Sequence, residues 1–278
     1  MLENHIRTKL GNYPLNKLNS DIISEFTDEL LCKKQLAPKT VRDILVFVHE
    51  VLVRNQLFSI TITYPKIERK ELRILSVKEQ QLLINFLLED MDIYKFSVLL
   101  ALCTGLRIGE ICGLQWKHIS IKTNLLTVKH TVLRIKNLDT SSTKKTILQL
   151  GSPKTESSIR TIPFTKGLAE LFKKFQVNNP DAFLMTGNDQ LIDPRKLQRR
   201  LKKYGAELGL KDIHFHMLRH TFATRCVEIG CDIKTLSEIL GHSNISTTMD
   251  RYVHPSVELK RKNIEKLERS NIFPPSKK

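Results

Sequence analysis

The chain has 278 residues, of which 41% are hydrophobic, so it is long enough to form one large domain and a smaller one. Its formal net charge of +16 at pH 7 indicates a polyanionic partner, and no apolar run approaches the roughly 18 residues of a transmembrane helix. The five cysteines form no pairing motif. They exclude a disulfide framework and are typical of a reduced cytoplasmic protein.

The positive charge is unevenly distributed along the chain. Residues 1–65 contain 8 Lys/Arg and 7 Asp/Glu, whereas residues 66–278 contain 37 and 22. The second part is therefore predicted to provide the main electrostatic surface for nucleic acid. A basic surface that serves only solubility is the alternative interpretation.

The first predicted domain, residues 1–62, is small and helical. Residues 20–33 have the apolar spacing of an amphipathic helix, with Ser20 as its expected N-cap. Pro38 is predicted to open a second helix, because proline favours the first helical position. Residues 63–75 lack helical periodicity and are interpreted as a linker.

The remaining residues, 76–278, are predicted to form one mainly α domain with a small antiparallel β-sheet. Ser76 begins a capping box, and the following helix, at about 92–103, is apolar nearly all round and is expected to be buried. Short strands are predicted at 125–128, 146–148 and 159–163, with a polar loop at about 134–145. Further helices are predicted at about 165–177, 194–208, 216–229, 232–240, 245–253 and 256–269.

Two arginines of this domain each occur three positions from another functional side chain. Arg107 and Glu110 would share one face of a helix, where the carboxylate could orient the guanidinium. A surface ion pair is the simpler alternative, and spacing alone does not decide between the two. His216 and Arg219 have the same offset and are predicted to project together into one cleft.

Three further candidates also have simple structural interpretations. His242 follows Leu-Gly at a predicted turn between helices, where a lone histidine is usually structural. Tyr252 ends a short helix, where a tyrosine normally packs. Lys154 follows a proline in a turn between strands, where a lysine is normally solvated.

Three neighbouring histidines in one segment could form part of a zinc site. His214, His216 and His220 are not joined by a thiolate pair or a carboxylate that would complete a zinc site. His220 is more simply interpreted as a satisfied histidine on a helix face. We therefore expect neither a metal nor a cofactor.

The joint order of these motifs is far more specific than any one of them. TGLRIGE, SPKTESSIRTIPF, HMLRHTFAT, LGHSNISTT and MDRYVH follow one another along the chain. Through them the chain resembles the tyrosine recombinase (phage integrase) family, and is most like integrases of phages and conjugative transposons. The resemblance covers most of the chain. It implies a tyrosine-recombinase catalytic domain preceded by a short, truncated, helical core-binding domain of the SAM-like type.

The resemblance also implies a reaction. A tyrosine attacks a scissile DNA phosphate, forms a 3′-phosphotyrosine and frees a 5′-hydroxyl, without a metal ion. The two arginines would bind the non-bridging oxygens, the later histidine would donate to an oxygen, and His216 would help to take the phenolic proton. Lys154 would protonate the leaving oxygen, and Glu110 would support Arg107. The implied catalytic set is Arg107, Lys154, His216, Arg219, His242 and Tyr252.

The implied partner is double-stranded DNA at attachment or crossover sites, in the cytoplasm at the nucleoid. The resemblance further implies a tetramer on the DNA, accessory DNA-bending proteins and docking of helix 256–269 in cis or on a neighbouring protomer. No membrane partner is expected. The predicted DNA-binding residues are Lys33, Lys34, Lys39, Arg42 and Arg160.

Two other functions use the same residues. A Xer-type recombinase that resolves chromosome or plasmid dimers would share the whole catalytic set. A truncated integrase remnant would bind DNA without efficient recombination. A type IB topoisomerase shares the chemistry, but the motif spacing fits recombinases better.

Overall fold

A computed structural model describes residues 2–68, 72–139, 141–151 and 159–252, together with residues 261, 264 and 265. The chain divides into two compact units, Met1–Glu71 and Leu72–Lys278. The division falls within the segment that the sequence suggests as a linker. In the described part of the chain, no helix combines the length and the apolar character needed to cross a membrane.

The first unit is helical. Helix α1, Ser20–Asp28, continues into a π-helical turn, Glu29–Lys33, and helix α2 spans Pro38–Arg54, as the proline predicted. The N-cap of α1 is Asn19 rather than Ser20, because the Asn19 side chain accepts from the amide of Ile22. The Ser20 hydroxyl instead accepts from the amide of Thr61 at 2.9 Å. The buried core is Ile6, Leu10, Ile23, Phe26, Leu30, Val41, Ile44, Leu45, Val48, Leu52 and Ile60.

The second unit contains the remaining described helices and all the described strands. The predicted capping box at Ser76 is confirmed, since its hydroxyl accepts from the amide of Glu79 and its own amide donates to the Glu79 carboxylate at 2.8 Å. The helices are α3 Val77–Leu88, α4 Ile93–Thr104, α5 Ile108–Cys112, α6 Lys166–Phe175, α7 Pro194–Glu207, α8 Phe215–Glu228, α9 Ile233–Leu240 and α10 Ile245–Tyr252.

Helix α4 lies at the centre of this unit and contacts α3, α5, α6, α7 and α8. Its residues from Phe96 to Leu102 are buried, as its apolar sequence predicted. Gly105 ends the helix with φ +67°, and a Cβ there would lie 2.6 Å from the Phe222 ring on α8. Only glycine allows both the left-handed turn and this close approach.

The strands form two small antiparallel sheets rather than the single sheet that was predicted. They are β1 Ile119–Ser120, β2 Leu125–Val128, β3 Thr131–Lys136, β4 Thr146–Gly151 and β5 Arg160–Pro163. The sheet orders are β1-β2-β5 and β3-β4. The prediction missed β1 and β3, and it was wrong in assigning 134–136 to a loop. The sequence of β3 lacks a strong alternation of apolar and polar residues, because only one face position of the strand, Val132, is buried and needs an apolar side chain.

Candidate active site

Three arginines from three different elements donate hydrogen bonds to successive main-chain carbonyls at the C-terminus of α9. The last carbonyls of a helix have no partners within the helix, and they carry the negative end of its dipole, so cations are stabilised there. We call residues 239–241 the α9 carbonyl turn. The pairs are Arg160 Nε with Ile239 O at 2.6 Å, Arg219 Nη2 with Leu240 O at 2.7 Å, and Arg107 Nη2 with Gly241 O at 3.3 Å.

Gly241 shapes this turn. Its φ is +64°, the left-handed conformation in which helices commonly end. A Cβ at this position would lie 2.9 Å from Nη1 of Arg160. The turn can therefore hold the guanidinium closely only because the residue has no side chain.

Arg107 is the N-cap residue of α5 and is the most accessible of the three arginines. Its Nη1 donates to Oε1 of Glu110 at 2.9 Å, and its main-chain amide donates to Oε2 at 2.8 Å. The side chain is nevertheless 40% exposed. It is held in one orientation while part of the guanidinium stays open to a ligand.

Glu110 also binds Arg160, and this pair is buried. Nη1 and Nη2 of Arg160 donate to Oε1 and Oε2 of Glu110 at 3.0 and 2.8 Å. Burial by itself would raise the pKa of Glu110, but hydrogen bonds and charge from Arg160, and then Arg107, bring it down to about 2. Arg160 was predicted to contact DNA. Its guanidinium is buried against Glu110 and α9, and contact with DNA stays a prediction.

Arg219 is almost completely buried, on α8. Its Nη1 donates to the carbonyl of Gly105 at 2.8 Å, and its Nη2 lies 2.9 Å from Nε2 of His242. A guanidinium only donates, so this ring nitrogen of His242 accepts. The neutral ring then carries its proton on Nδ1 and donates to the hydroxyl of Thr248 at 2.7 Å.

This tautomer bears on the predicted role of His242. Burial, followed by the charges of Arg219 and Arg107, lowers the pKa of His242 to about 4, so the ring is neutral at pH 7. For Nε2 to donate to a phosphate oxygen, it must gain a proton and give up its bond from Arg219. A bound anion would favour that change, because it opposes the cationic field of the arginines.

Tyr252 ends α10 and is 7% exposed. Its hydroxyl lies 2.6 Å from Nδ1 of His220 on α8. The His220 ring is packed edge-on against the ring of His216, with centroids 4.4 Å apart. The sequence suggested His216 as the group that helps to take the phenolic proton, and it gave His220 a structural role. The ring that contacts the phenol is that of His220.

Both partners of this hydrogen bond are neutral at pH 7. Burial raises the pKa of Tyr252, although Arg219 and Arg251 act in the opposite direction. Burial, together with the charges of His216 and Arg251, lowers the pKa of His220 to about 3. A protonated phenol therefore lies next to a neutral imidazole ring.

The arrangement can bind and polarise a phosphate. Arg107, Arg160 and Arg219 together carry three positive charges, and Glu110 supplies one negative charge, which leaves an excess of two. Fixed donors in a largely buried site stabilise negative charge strongly, because they need no reorganisation. Within the described ranges, no group of three or more His, Cys, Asp or Glu side chains could hold a metal ion.

Comparison with known proteins identifies the family. Residues 73–258 match the model of the phage integrase family. The chain belongs to this family. The match confirms the resemblance that its motifs indicated, and the family's mainly α fold with small antiparallel sheets is the one described above.

The chain is similar in sequence to both Xer-type recombinases and integrases of mobile elements. A XerC-like tyrosine recombinase of Caldanaerobacter subterraneus is 35% identical over 191 residues, which cover 62% of this chain and 48% of the relative. The ICEBs1 integrase of Bacillus subtilis is 24% identical over 288 residues, which cover 96% of this chain and 75% of the relative. The integrase-family chain thus spans about half the length of the first relative.

A solved structure shows the same fold. The Tn1549 transposon integrase, in complex with transposon right-end DNA, superimposes with a TM-score of 0.76 at 21% sequence identity. The superposition covers 95% of this chain and 92% of that one. Both units of the integrase-family chain therefore have counterparts in that protein.

The predicted general acid of this integrase-family chain, Lys154, lies outside the described residues, as does most of the predicted helix 256–269. Strand β4 ends at Gly151 and strand β5 begins at Arg160, so Lys154 belongs to the segment that joins them. Its role stays a prediction from the family motif.

The predicted DNA-binding residues of the first unit lie around the junction between the π-helical turn and α2. Lys33, Lys39 and Arg42 are exposed, and Lys34 is half-buried. The guanidinium carbon of Arg42 lies 5.5 Å from the centre of the Tyr64 ring, so this side chain is partly ordered by a cation–π contact. Contact of these residues with phosphates stays a prediction.

Sequence reasoning missed two functional relationships. The first is the pairing of His220 with Tyr252. The HMLRH motif contained a signal for it, because His220 lies four residues after His216 and therefore on the same helical face as the histidine that was predicted to act on Tyr252. The second is the pairing of Arg160 with Glu110. No local pattern indicates it, because 50 positions separate the two residues.

Proposed function

We propose that this chain is a site-specific DNA recombinase that cleaves and rejoins DNA strands through a 3′-phosphotyrosine. The observation that carries the proposal is the joint anchoring of Arg107, Arg219 and His242 around the α9 carbonyl turn, with Tyr252 held against the same helix α8. The family gives this set a phosphodiester substrate. Tyr252 is the nucleophile in this proposal.

The two arginines have different tasks. Arg107 is 40% exposed and is held by Glu110, so the exposed part of its guanidinium is suited to a non-bridging oxygen of the scissile phosphate. Arg219 is buried and holds His242, so it fixes the position of the second cation and of the histidine ring. Together they stabilise the extra negative charge of the pentavalent transition state.

Two proton transfers accompany the exchange. The phenol must lose its proton as it attacks, and the 5′-oxygen must gain one as it leaves. Lys154 is proposed as the acid for the leaving oxygen, on the basis of the family motif. The ester keeps the bond energy, so rejoining to another 5′-hydroxyl needs no ATP.

The proposed partner is double-stranded DNA at attachment or crossover sites. The chain's net charge of +16 and the DNA in the Tn1549 integrase complex support it. A tetramer on the DNA, accessory DNA-bending proteins and a cytoplasmic, nucleoid-associated location complete the proposal. In it, residues 1–62 bind DNA and residues 76–278 carry the chemistry.

Integration or excision of a mobile element is the favoured biological role. Similarity to the ICEBs1 integrase over 96% of this chain supports it, as does the fold shared with the Tn1549 transposon integrase. The second candidate is dimer resolution, because the XerC-like relative is more similar in sequence. Recombination of the flanks of the chain's own element, compared with a chromosomal dimer-resolution site, separates these roles.

A suicide substrate tests the chemistry. A duplex with a nick next to the crossover position loses its 5′-hydroxyl fragment after cleavage, so an active enzyme is trapped as a covalent adduct. Wild-type protein is expected to form the adduct, whereas Tyr252→Phe is expected to bind the duplex without forming it. Tyr13→Phe, at an exposed tyrosine of the first unit, is the matched control. An adduct in Tyr252→Phe would assign the nucleophile elsewhere, and no adduct in the wild type would favour a DNA-binding remnant.

A further inference from the structure

We infer that His220 is a further catalytic residue, whose Nδ1 orients the Tyr252 hydroxyl and accepts the phenolic proton when that oxygen attacks phosphorus. The inference rests on the function proposed above. It moves the first proton acceptor from His216 to the neighbouring histidine on the same face of α8.

The contact is short and well enclosed. The hydroxyl oxygen of Tyr252 and Nδ1 of His220 are 2.6 Å apart, and the two residues are 7% and 4% exposed. Such a distance lies at the short end of the range for hydrogen bonds. In a site that excludes water, the partner of the hydroxyl also determines where its oxygen points.

The number of donors and acceptors on the two groups shows which one donates in this hydrogen bond. The Tyr252 hydroxyl is hydrogen-bonded to Nδ1 of His220, and the Arg251 side chain also donates to it. A buried phenolic hydrogen needs an acceptor, so the hydroxyl donates and Nδ1 accepts. The neutral His220 ring then carries its own proton on Nε2, and a second proton can be added only at Nδ1.

The packing of the ring supports an orienting role. The His220 ring lies between two aromatic neighbours, with centroid distances of 4.4 Å to His216 and 5.6 Å to Tyr252. Rotation of the ring would break both contacts. The acceptor nitrogen is thus fixed by packing as well as by hydrogen bonding.

The proposed step balances as follows. The Tyr252 oxygen forms a bond to phosphorus, the bond from phosphorus to the 5′-oxygen breaks, and the phenolic proton moves to Nδ1 of His220. The leaving 5′-oxygen takes its proton from the proposed acid Lys154. During rejoining, the 5′-hydroxyl attacks, the Tyr252 oxygen leaves, and the imidazolium of His220 returns the proton to it.

Bound DNA would strengthen His220 as a base. Burial lowers the pKa of His220 in the DNA-free chain, and so do the charged and titratable groups around it: His216 and Arg219 on α8, Arg251 on α10 and His214 at the N-cap of α8. A scissile phosphate placed among these cations offsets their field. The base is therefore weak at rest and becomes stronger when substrate is bound.

Single-turnover cleavage of the nicked suicide substrate at saturating DNA tests the inference, with His220→Asn, His220→Gln and His220→Leu as variants. The amide oxygen of asparagine can occupy the Nδ1 position, whereas the glutamine amide reaches toward Nε2. We expect His220→Leu and His220→Gln to lose about 100-fold or more in cleavage rate, and His220→Asn to lose less. DNA affinity and melting temperature identify folded variants, and the asparagine–glutamine comparison tests the orienting role even if the leucine variant does not fold.

The pH dependence separates a base from a structural side chain. Deprotonated phenol needs no base, so the deficit of the His220 variants is expected to shrink as the pH rises toward the pKa of the phenol. A fluorinated tyrosine at position 252, which has a more acidic phenol, is expected to restore the same variants. A wild-type cleavage rate in His220→Leu, or a deficit that is equal at every pH, overturns the inference. Failure of the wild type to form any adduct overturns the proposed function instead.

Discussion

The guanidinium of Arg160 binds both carboxylate oxygens of Glu110, at 3.0 and 2.8 Å, while the same carboxylate accepts from Arg107 at 2.9 Å. One buried anion thus serves two cations. Because Arg160 already neutralises the carboxylate, Arg107 keeps its charge available for a phosphate.

Loss of Arg160 is expected to disable Arg107. In Arg160→Met, the buried carboxylate has only Arg107 as its cationic partner, draws that guanidinium inward and destabilises the fold by about 3–5 kcal/mol. We expect cleavage to fall by about 100-fold or more. Single-turnover adduct formation and urea unfolding measure the two effects.

The double variant Arg160→Met/Glu110→Gln tests that explanation. The neutral amide removes the uncompensated charge, so the double variant is expected to be more stable and more active than Arg160→Met. Arg54→Met, at an exposed arginine of α2, is the control. Purely additive losses in the double variant would show that the two side chains act separately.

Lysine is expected to be a poor replacement for either catalytic arginine. Arg219 binds the carbonyls of Gly105 and Leu240 and the His242 ring through two different nitrogens, and a single ammonium cannot reproduce that fork. We expect Arg219→Lys and Arg107→Lys to bind DNA normally and to lose about 100-fold or more in cleavage. Near-normal cleavage by either variant would exclude a bidentate role.

Acidification is expected to destabilise the chain through its buried histidines. The pKa of His220 is about 3 when folded and about 6.5 when unfolded, so the unfolded state binds more protons between these values. The free energy of unfolding is therefore highest, as far as His220 is concerned, above pH 6.5, and it falls as the pH falls below that value. This residue alone is expected to lower it by about 2 kcal/mol between pH 7 and pH 5. His242, with a pKa of about 4, acts in the same direction.

Urea unfolding at pH 7 and pH 5 measures this loss. His220→Asn is expected to be less sensitive to the pH change than the wild type, by about the contribution of one histidine. An unfolding free energy that stays constant or rises on acidification would contradict the buried, neutral state of these rings.

Lys33 and Lys39 are predicted to contact phosphates and not bases. Replacement of either residue by alanine is expected to weaken binding equally on specific and unrelated duplexes. The slope of log K against log salt is expected to become shallower by about 0.9 for each lost contact. Lys17→Ala, at an exposed lysine outside the junction between the two helices, is the control. A change in sequence preference would instead indicate base recognition.

The role proposed for Lys154 can be tested with a changed leaving group. Lys154→Ala is expected to cleave an ordinary phosphodiester slowly, because the leaving oxygen lacks its acid. A substrate with sulfur in place of the bridging 5′-oxygen needs no proton, so cleavage should be restored. An equal defect on both substrates would assign Lys154 to binding.

Local signals in the sequence predicted local structure well. The capping box at Ser76, the helix opened by Pro38 and the turn at Gly105 depend on residues within a few positions, and all three were confirmed. The short strands β1 and β3 were missed because few of their side chains are buried. The family motifs predicted the fold beyond what local patterns could supply.

The contacts that assemble the candidate site were not predictable in the same way. Arg160 meets Glu110 across 50 positions, and His220 meets Tyr252 across 32. The acceptors of the α9 carbonyl turn are main-chain oxygens. Every residue has such an oxygen, so residue identity does not show which of them accept hydrogen bonds from the arginines. The sequence therefore contained no pattern that indicated them.

The α9 carbonyl turn has a consequence for how this chain can vary. Its oxygens belong to the backbone, so the side chains of Ile239 and Leu240 can be exchanged for others of similar bulk without removing any acceptor. A residue with a Cβ at Gly241 would instead displace the oxygens and disturb several arginines at once. Damage to the site can thus originate at the one position of the turn that has no side chain.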